Sequence, residues 1–189
     1  MIEEVVGTIA DLGDIPDLSG VVDTTAEPLS DGWYAGTILE QRAFTDQSGS
    51  DRVFTTEDTP AQSSDSRNIR LQLELKRQSD GRVINNSMLV NYRPDDLTQE
   101  TVQRVMAETE KIKGTSEKRV DFRAFMSLRR IGTLQRIAGV RQLQRNGNGG
   151  LDLAPLYNKK AYFKLGEDSR NPQFKEVKDF QDKAPKRIL

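Results

Sequence analysis

The stretch Lys159-Lys160-Ala161-Tyr162-Phe163-Lys164-Leu165-Gly166, followed by Pro172-Gln173-Phe174-Lys175-Glu176-Val177-Lys178, decides the fold. Ala161, Phe163 and Leu165 alternate with Lys160, Tyr162 and Lys164, the period of two expected of a half-buried strand. Asp168-Ser169-Arg170-Asn171-Pro172 supplies turn residues between the two halves, so the stretch reads as a β-hairpin. Phe163 and Leu165 are expected in the core, and the hairpin is expected to pair back to a strand over Gly32–Phe44.

Three strand-like runs lie upstream. Gly32 to Phe44 is the first, with Tyr34 and Ile38 on one face and Gly36 between them, where a bend or bulge is expected. Trp33 faces away from Tyr34, so one of the two rings points out of the core. Asn68 to Gln78 is the second run: Ile69, Leu71, Leu73 and Leu75 fall on one face, and Arg70, Gln72, Glu74 and Lys76 on the other. Ser79-Asp80-Gly81 is a tight turn leading into the third, Arg82 to Arg93, which must pair with the second. Residues 45–67 are rich in Ser, Asp, Thr and Gln and read as a long surface loop around a small Val53-Phe54 island.

Two helices follow. Asp96 is a cap candidate with Gln99 at the third position, opening a helix that runs to about Lys113. A second helix spans about Asp121 to Ala138, stopped by Gly139, with Phe122, Phe125, Met126, Ile131, Leu134, Ile137 and Ala138 as its core side. The order is strand, strand, strand, two helices, strand, strand. That order predicts a mainly β chain with a helical insertion (α+β), built as a five-stranded, OB-like antiparallel barrel. A β-sandwich with a helical insertion has the same strand count.

Composition bounds the chemistry. The chain of 189 residues contains no cysteine and no histidine, which removes disulfides, thiolate nucleophiles, imidazole acid–base schemes and Cys/His zinc sites. No run is long or apolar enough for a membrane span, and Met1-Ile2-Glu3-Glu4 does not open a signal peptide. A cytoplasmic location, or a place in a virion, is expected. Asp95-Asp96 and Asp152 read as turn and cap residues rather than a metal pair, and Gly147-Asn148-Gly149-Gly150 lacks the Lys-Ser/Thr of a phosphate loop. The expectation is therefore a non-catalytic protein with no metal and no cofactor.

The net charge of −1 hides a polarised distribution. Residues 1–31 hold eight acids and no Lys or Arg, and read as an acidic arm. Residues 117–145 hold eight bases and two acids, a net of +6. The arm reads as a solvated or partly ordered tail, or, more sharply, as a segment that docks on a basic surface of its own chain or of another subunit in a homo-oligomer. Residues 32–180 form the domain, with the insertion at 96–140, and residues 181–189 a short basic tail.

The string Arg130-Ile131-Gly132-Thr133-Leu134-Gln135-Arg136-Ile137-Ala138-Gly139-Val140, then Leu153, Asn158 to Gly166 and Lys175 to Phe180, together with Gly32-Trp33-Tyr34-Ala35-Gly36-Thr37-Ile38, resembles the phage-encoded OB-fold single-stranded-DNA-binding proteins of replication and recombination modules. The resemblance covers anchor segments within residues 32–180. It departs from that pattern in its acidic N-terminal extension, its long 45–67 loop and its basic end (Lys183, Lys186, Arg187) in place of an acidic tail. It implies a non-catalytic single-stranded-DNA-binding protein working in the bacterial host cytoplasm.

Single strands are held by a basic groove and aromatic platforms, each stacked base contributing about 1–3 kcal/mol. Candidate contacts are Trp33 and Tyr162 for stacking, and Arg70, Lys76, Arg82 and Lys164 on the strands. Arg123 and Arg130 on the second helix are candidate phosphate contacts. Lys and Arg at alternate strand positions also describe any solvent face, and an arginine-rich helix face could equally receive the arm. Two further readings stay open: a virion structural protein (capsid-decorating or connector) tethered by its arm, and a protein-interaction module on the same barrel.

Overall fold

The computed structural model describes residues 29–45, 48–62, 65–112, 121–171 and 174–189. Its strands are β1 (Gly32–Leu39), β2 (Gln41–Thr45), β3 (Asp51–Thr55), β4 (Glu57–Pro60), β5 (Arg67–Lys76), β6 (Val83–Tyr92), β7 (Lys160–Glu167) and β8 (Lys175–Gln181). Helices α1 (Gln99–Ile112) and α2 (Phe122–Ala138) lie between β6 and β7 in the chain. The class is mainly β with two helices, and every strand pairing is antiparallel.

β5 organises the six-stranded sheet. One of its edges pairs with β6 along all of Arg67–Lys76. Its other edge is shared, with β4 opposite Arg67–Arg70 and β1 opposite Gln72–Lys76. β1 then pairs with β7, Tyr34 opposite Phe163, and β7 with β8. The closing hairpin thus returns to the first strand as expected. No ladder joins β6 to β8 among the described residues, so the sheet is not closed into a barrel by backbone bonds. The two strands do meet where Asn86 Nδ2 donates to the Lys175 carbonyl at 3.3 Å.

The period-two pattern becomes burial. Tyr34, Ile38, Ile69, Leu71, Leu73, Leu75, Phe163 and Leu165 are all fully buried. α2 covers this face with Ile131, Leu134, Ile137 and Ala138. Asp121 caps α2 by accepting from the Ala124 N–H at 3.0 Å, and Gly139 ends it at φ 73°.

Several expectations are corrected. The first strand does not reach Phe44; it stops at Leu39, and the chain leaves the sheet at Glu40. The 45–67 loop is not irregular. Part of it pairs back as the β2–β3 hairpin, and part joins the sheet as β4. Gly36 sits in an unbroken ladder rather than a bulge; the register shift lies at Lys164/Leu165 instead. Gly36 is small because a Cβ there would lie 2.5 Å from Leu75 Cδ2 and 2.9 Å from Phe163 Cδ2. Asp96 does not cap α1. Pro94 starts a 3-10 turn over Pro94–Leu97, which moves the helix start so that Thr98 Oγ1 accepts from the Thr101 N–H. Asp96 instead accepts from Ser127 Oγ at 2.8 Å, tying that turn to α2. Phe122 is 64% exposed, on the side of the first turn of α2 away from the buried Ala124, and Phe125 and Met126 are only half-buried.

The acidic arm, and any oligomer contact it makes, lies outside the described residues up to position 28. Its last three residues are pinned to the body: Leu29 packs on the core, the Tyr34 hydroxyl donates to the Ser30 carbonyl, and Asp31 pairs with Lys175 at 2.6 Å.

One carboxylate fastens the far end of the sheet. The Asp58 side chain has no exposed surface, and it accepts from Arg67 Nε at 2.9 Å, the Tyr92 hydroxyl at 2.5 Å and the Leu151 N–H at 2.7 Å. β4, β5, β6 and the loop before β7 meet there. Burial and the adjacent Asp58 charge push the Tyr92 phenol far above its ordinary range. Removing one partner of a buried, hydrogen-bonded charge pair costs about 3–5 kcal/mol. Asp58→Ala is therefore expected to lower stability by that amount in urea unfolding, and Tyr92→Phe by about 1.5–3 kcal/mol. Gly36→Ala, which overpacks the core at Leu75 and Phe163, is expected to cost about 1–3 kcal/mol.

Candidate nucleic-acid interface

The outward positions of the strands form one continuous face. Register fixes its rows: Val83, Lys76, Ala35, Tyr162 and Gln181 lie in one row across β6, β5, β1, β7 and β8. The next holds Asn85, Glu74, Thr37 and Lys160, and on the other side Trp33 stands directly opposite Lys164. β1 contributes small outward residues, Ala35 and Thr37, between the longer side chains of β5 and β7. These small residues lie between Lys76 on β5 and Lys160, Tyr162 and Lys164 on β7.

Distances follow from sheet geometry. Directly opposed Cβ atoms, such as those of Trp33 and Lys164, are about 5 Å apart, and a diagonal pair such as Trp33 and Tyr162 about 7–8 Å. Both rings are half-buried, while Lys76, Lys160 and Lys164 are exposed. Four of the eight residues picked from sequence, Trp33, Lys76, Tyr162 and Lys164, thus share one surface. Arg82 lies in the turn at the end of their row, where its carbonyl accepts from the Arg77 N–H at 2.9 Å.

The other three are elsewhere. Arg70 is exposed on the same face but at the opposite end of β5, between Glu57 and Leu89. Arg123 is on α2 and donates to Ser66 Oγ at 3.2 Å. Arg130 is half-buried on the same helix. Two other arginines of α2 hold the helix to the end of the sheet, Arg129 near Asp179 at 3.6 Å and Arg136 with Asp182 at 3.1 Å.

The β2–β3 hairpin adds a surface not picked from sequence. Arg42 opposes Phe54, and Phe44 opposes Arg52. The two rings are 6.3 Å apart, and the Arg42 guanidinium lies 5.8 Å from the Phe54 centroid. Arg42 Nε is shielded and has no hydrogen-bond partner among the described residues, and Phe44 is 47% exposed. The available signal was a repeat, Arg-Ala-Phe at 42–44 and Arg-Val-Phe at 52–54, either side of Ser48-Gly49-Ser50. The hairpin's root sits on the outer face: Gln72 points outward from β5 yet is 1% exposed, its N–H donating to Thr56 Oγ1 at 2.8 Å.

Among the described residues, no group of three or more acidic side chains is placed to hold a metal, and no helix is long and apolar enough to cross a membrane. No family model matches the chain, and no curated protein matches it.

The turn beside the outer sheet face has a defined acid response. Asp80 is held by a side-chain hydrogen bond from Arg77, then by the Arg82 N–H, and its carboxyl falls from 3.8 to about 2. A depressed carboxyl pKa stabilises the folded state above the unfolded value and loses that contribution as pH falls through the folded one. An NMR titration is expected to place the Asp80 side-chain midpoint near pH about 2, with the Gly81 amide unshifted down to about pH 4.

Proposed function

We propose that the chain is a non-catalytic single-stranded-DNA-binding protein acting in phage-type replication or recombination in the bacterial cytoplasm. The observation that carries this reading is the outer sheet face over β1, where two aromatic rings and three lysines lie on one surface. Stacking platforms beside cations are what sequence-tolerant binding of single strands requires.

The finer architecture is read as a five-stranded OB-like barrel made of β1, β5, β6, β7 and β8. Support comes from the pairing order β6-β5-β1-β7-β8, from the approach of β6 to β8 at Asn86 and Lys175, and from the helices between β6 and β7. In an OB fold, oligonucleotides lie across the sheet and between the loop that joins the first two strands and the loop that joins the last two. The first of these corresponds here to the β2–β3 hairpin with its Arg-x-Phe repeats. The second, between β7 and β8, carries the exposed Phe174.

Trp33 is the only tryptophan, so its emission reports on this face directly. Oligo-dT is expected to quench it at low salt, with affinity falling linearly in log–log form as salt rises, about 0.7 per phosphate neutralised. With labelled oligo-dT and anisotropy detection, Trp33→Ala and Tyr162→Ala are each expected to weaken binding by about 1–3 kcal/mol. No quenching and no anisotropy change at low salt would sink the reading.

A further inference from the structure

We infer that the segment Lys186–Leu189 is an integral part of the binding face, and that Arg187 and Trp33 together form a subsite for one nucleotide, base on the ring and phosphate on the guanidinium. The inference rests on the single-strand-binding reading above and adds to it a residue and a structural role for the basic tail.

The tail is built into the sheet. The Leu189 N–H donates to the Trp33 carbonyl at 2.7 Å, and the Leu189 carbonyl accepts from the Gln78 N–H at 3.0 Å. β1 and β5 pair only from Ala35↔Lys76 inward, so Leu189 bridges them where their own ladder has ended. Its side chain packs on the core and lies against Gly32, where a Cβ would stand 2.3 Å from Leu189 Cδ1. Gly32 also has φ 153°, a backbone that side chains other than hydrogen rarely adopt. The contact therefore uses a residue suited to it on both grounds.

This anchor delivers Arg187. A cleft of about 330 Å³ is lined by Ser30, Asp31, Gly32, Trp33, Arg187 and Leu189. That volume lies at the lower end of the range for small-ligand sites, about 300–1,000 Å³. The acid in its lining, Asp31, is engaged by Lys175 at 2.6 Å. Arg187 is exposed and makes no ion pair among the described residues, so its charge remains for a ligand. Lys164, directly opposite Trp33, places a second cation next to the same ring. An aromatic ring between two cations suits a base flanked by its phosphates, and it suits a single strand better than a duplex, whose bases are already stacked.

The test uses the full chain and oligo-dT, with affinity measured across a salt series. Arg187→Ala is expected to weaken binding about threefold to tenfold at low salt and to flatten the log–log salt slope by about 0.7, the loss of one phosphate contact. Arg187→Lys should restore the slope. Leu189→Gly, which loosens the anchor, should reproduce the Arg187→Ala effect, and the double variant should lose no more than either alone. Lys183→Ala, outside the cleft, should leave slope and affinity unchanged. If the wild-type chain binds and Arg187→Ala matches it in affinity and slope, the subsite is overturned while the binding reading stands. The subsite is overturned equally if Lys183→Ala and Arg187→Ala lose the same amount, since the tail would then act only as diffuse charge. If the wild-type chain does not bind oligo-dT at low salt, both readings fall together.

Discussion

The architecture turns on how two strands share one edge of β5. β1 occupies the half from Gln72 to Lys76 and β4 the half from Arg67 to Arg70, so the chain between them must leave the sheet and return. Thr56 fastens that junction. Its N–H donates to the Glu40 carbonyl at 2.8 Å and its hydroxyl to the Leu39 carbonyl at 2.6 Å, while the hydroxyl oxygen accepts from the Gln72 N–H. Three backbone groups at the break in the ladder are satisfied by one buried residue, where each left bare would cost about 1–3 kcal/mol. Two residues on, Asp58 locks β4 to Arg67, Tyr92 and Leu151.

The split edge has a consequence for the surface. An isolated two-stranded hairpin is marginal in water, yet β2–β3 carries aromatic and basic side chains rather than a core. It persists because its root is held by Thr56 and covers Gln72. The device that solves a backbone problem in the sheet thereby holds up the hairpin that carries Phe44 and Phe54. The outward residues of β1 are small: Ala35 and Thr37 lie between the lysines of β5 and β7.

Alternation was enough to read β5, β6 and β7, because apolar residues at every second position leave one burial choice. Asp80-Gly81 fixed the β5–β6 turn, and Asp121 with Gly139 bounded α2. Composition misled at 45–67. Arg42, Phe44, Arg52 and Phe54 share one face of the hairpin, basic alternating with aromatic, so no purely hydrophobic face marked those short strands. Asp58 was illegible for another reason: its partners are 9, 34 and 93 residues away, and nothing local distinguishes it from a loop acid. Leu189 is the same case, joined to Trp33 and Gln78 only by the fold. On the site, Trp33, Tyr162, Lys76 and Lys164 could be picked because strand parity assigns their face, whereas Arg123 and Arg130 could not be placed without knowing where α2 packs.

The net charge of −1 averages over an uneven distribution. The described ion pairs are placed unevenly. Arg67 pairs with Asp58, Arg77 with Asp80, Arg104 with Asp121, Arg129 with Asp179, Arg136 with Asp182 and Lys175 with Asp31. Most of these join separate elements, and the exposed ones contribute little individually. Each, however, removes an acid and a base together from the field seen by a ligand. Lys76, Lys160, Lys164 and Arg187 stand outside this set and outside any ion pair among the described residues. They cluster on the outer face around Trp33 and Tyr162; the acids in the same rows are Glu74 and Asp179, the latter the register partner of Lys164 and near Arg129 at 3.6 Å. Within a Debye length of about 8 Å at physiological salt, that local surplus governs attraction more than the sum over the chain does. The arginine-rich helix, the most basic segment of the sequence, uses two of its guanidinium groups, Arg129 and Arg136, as latches to the end of the sheet.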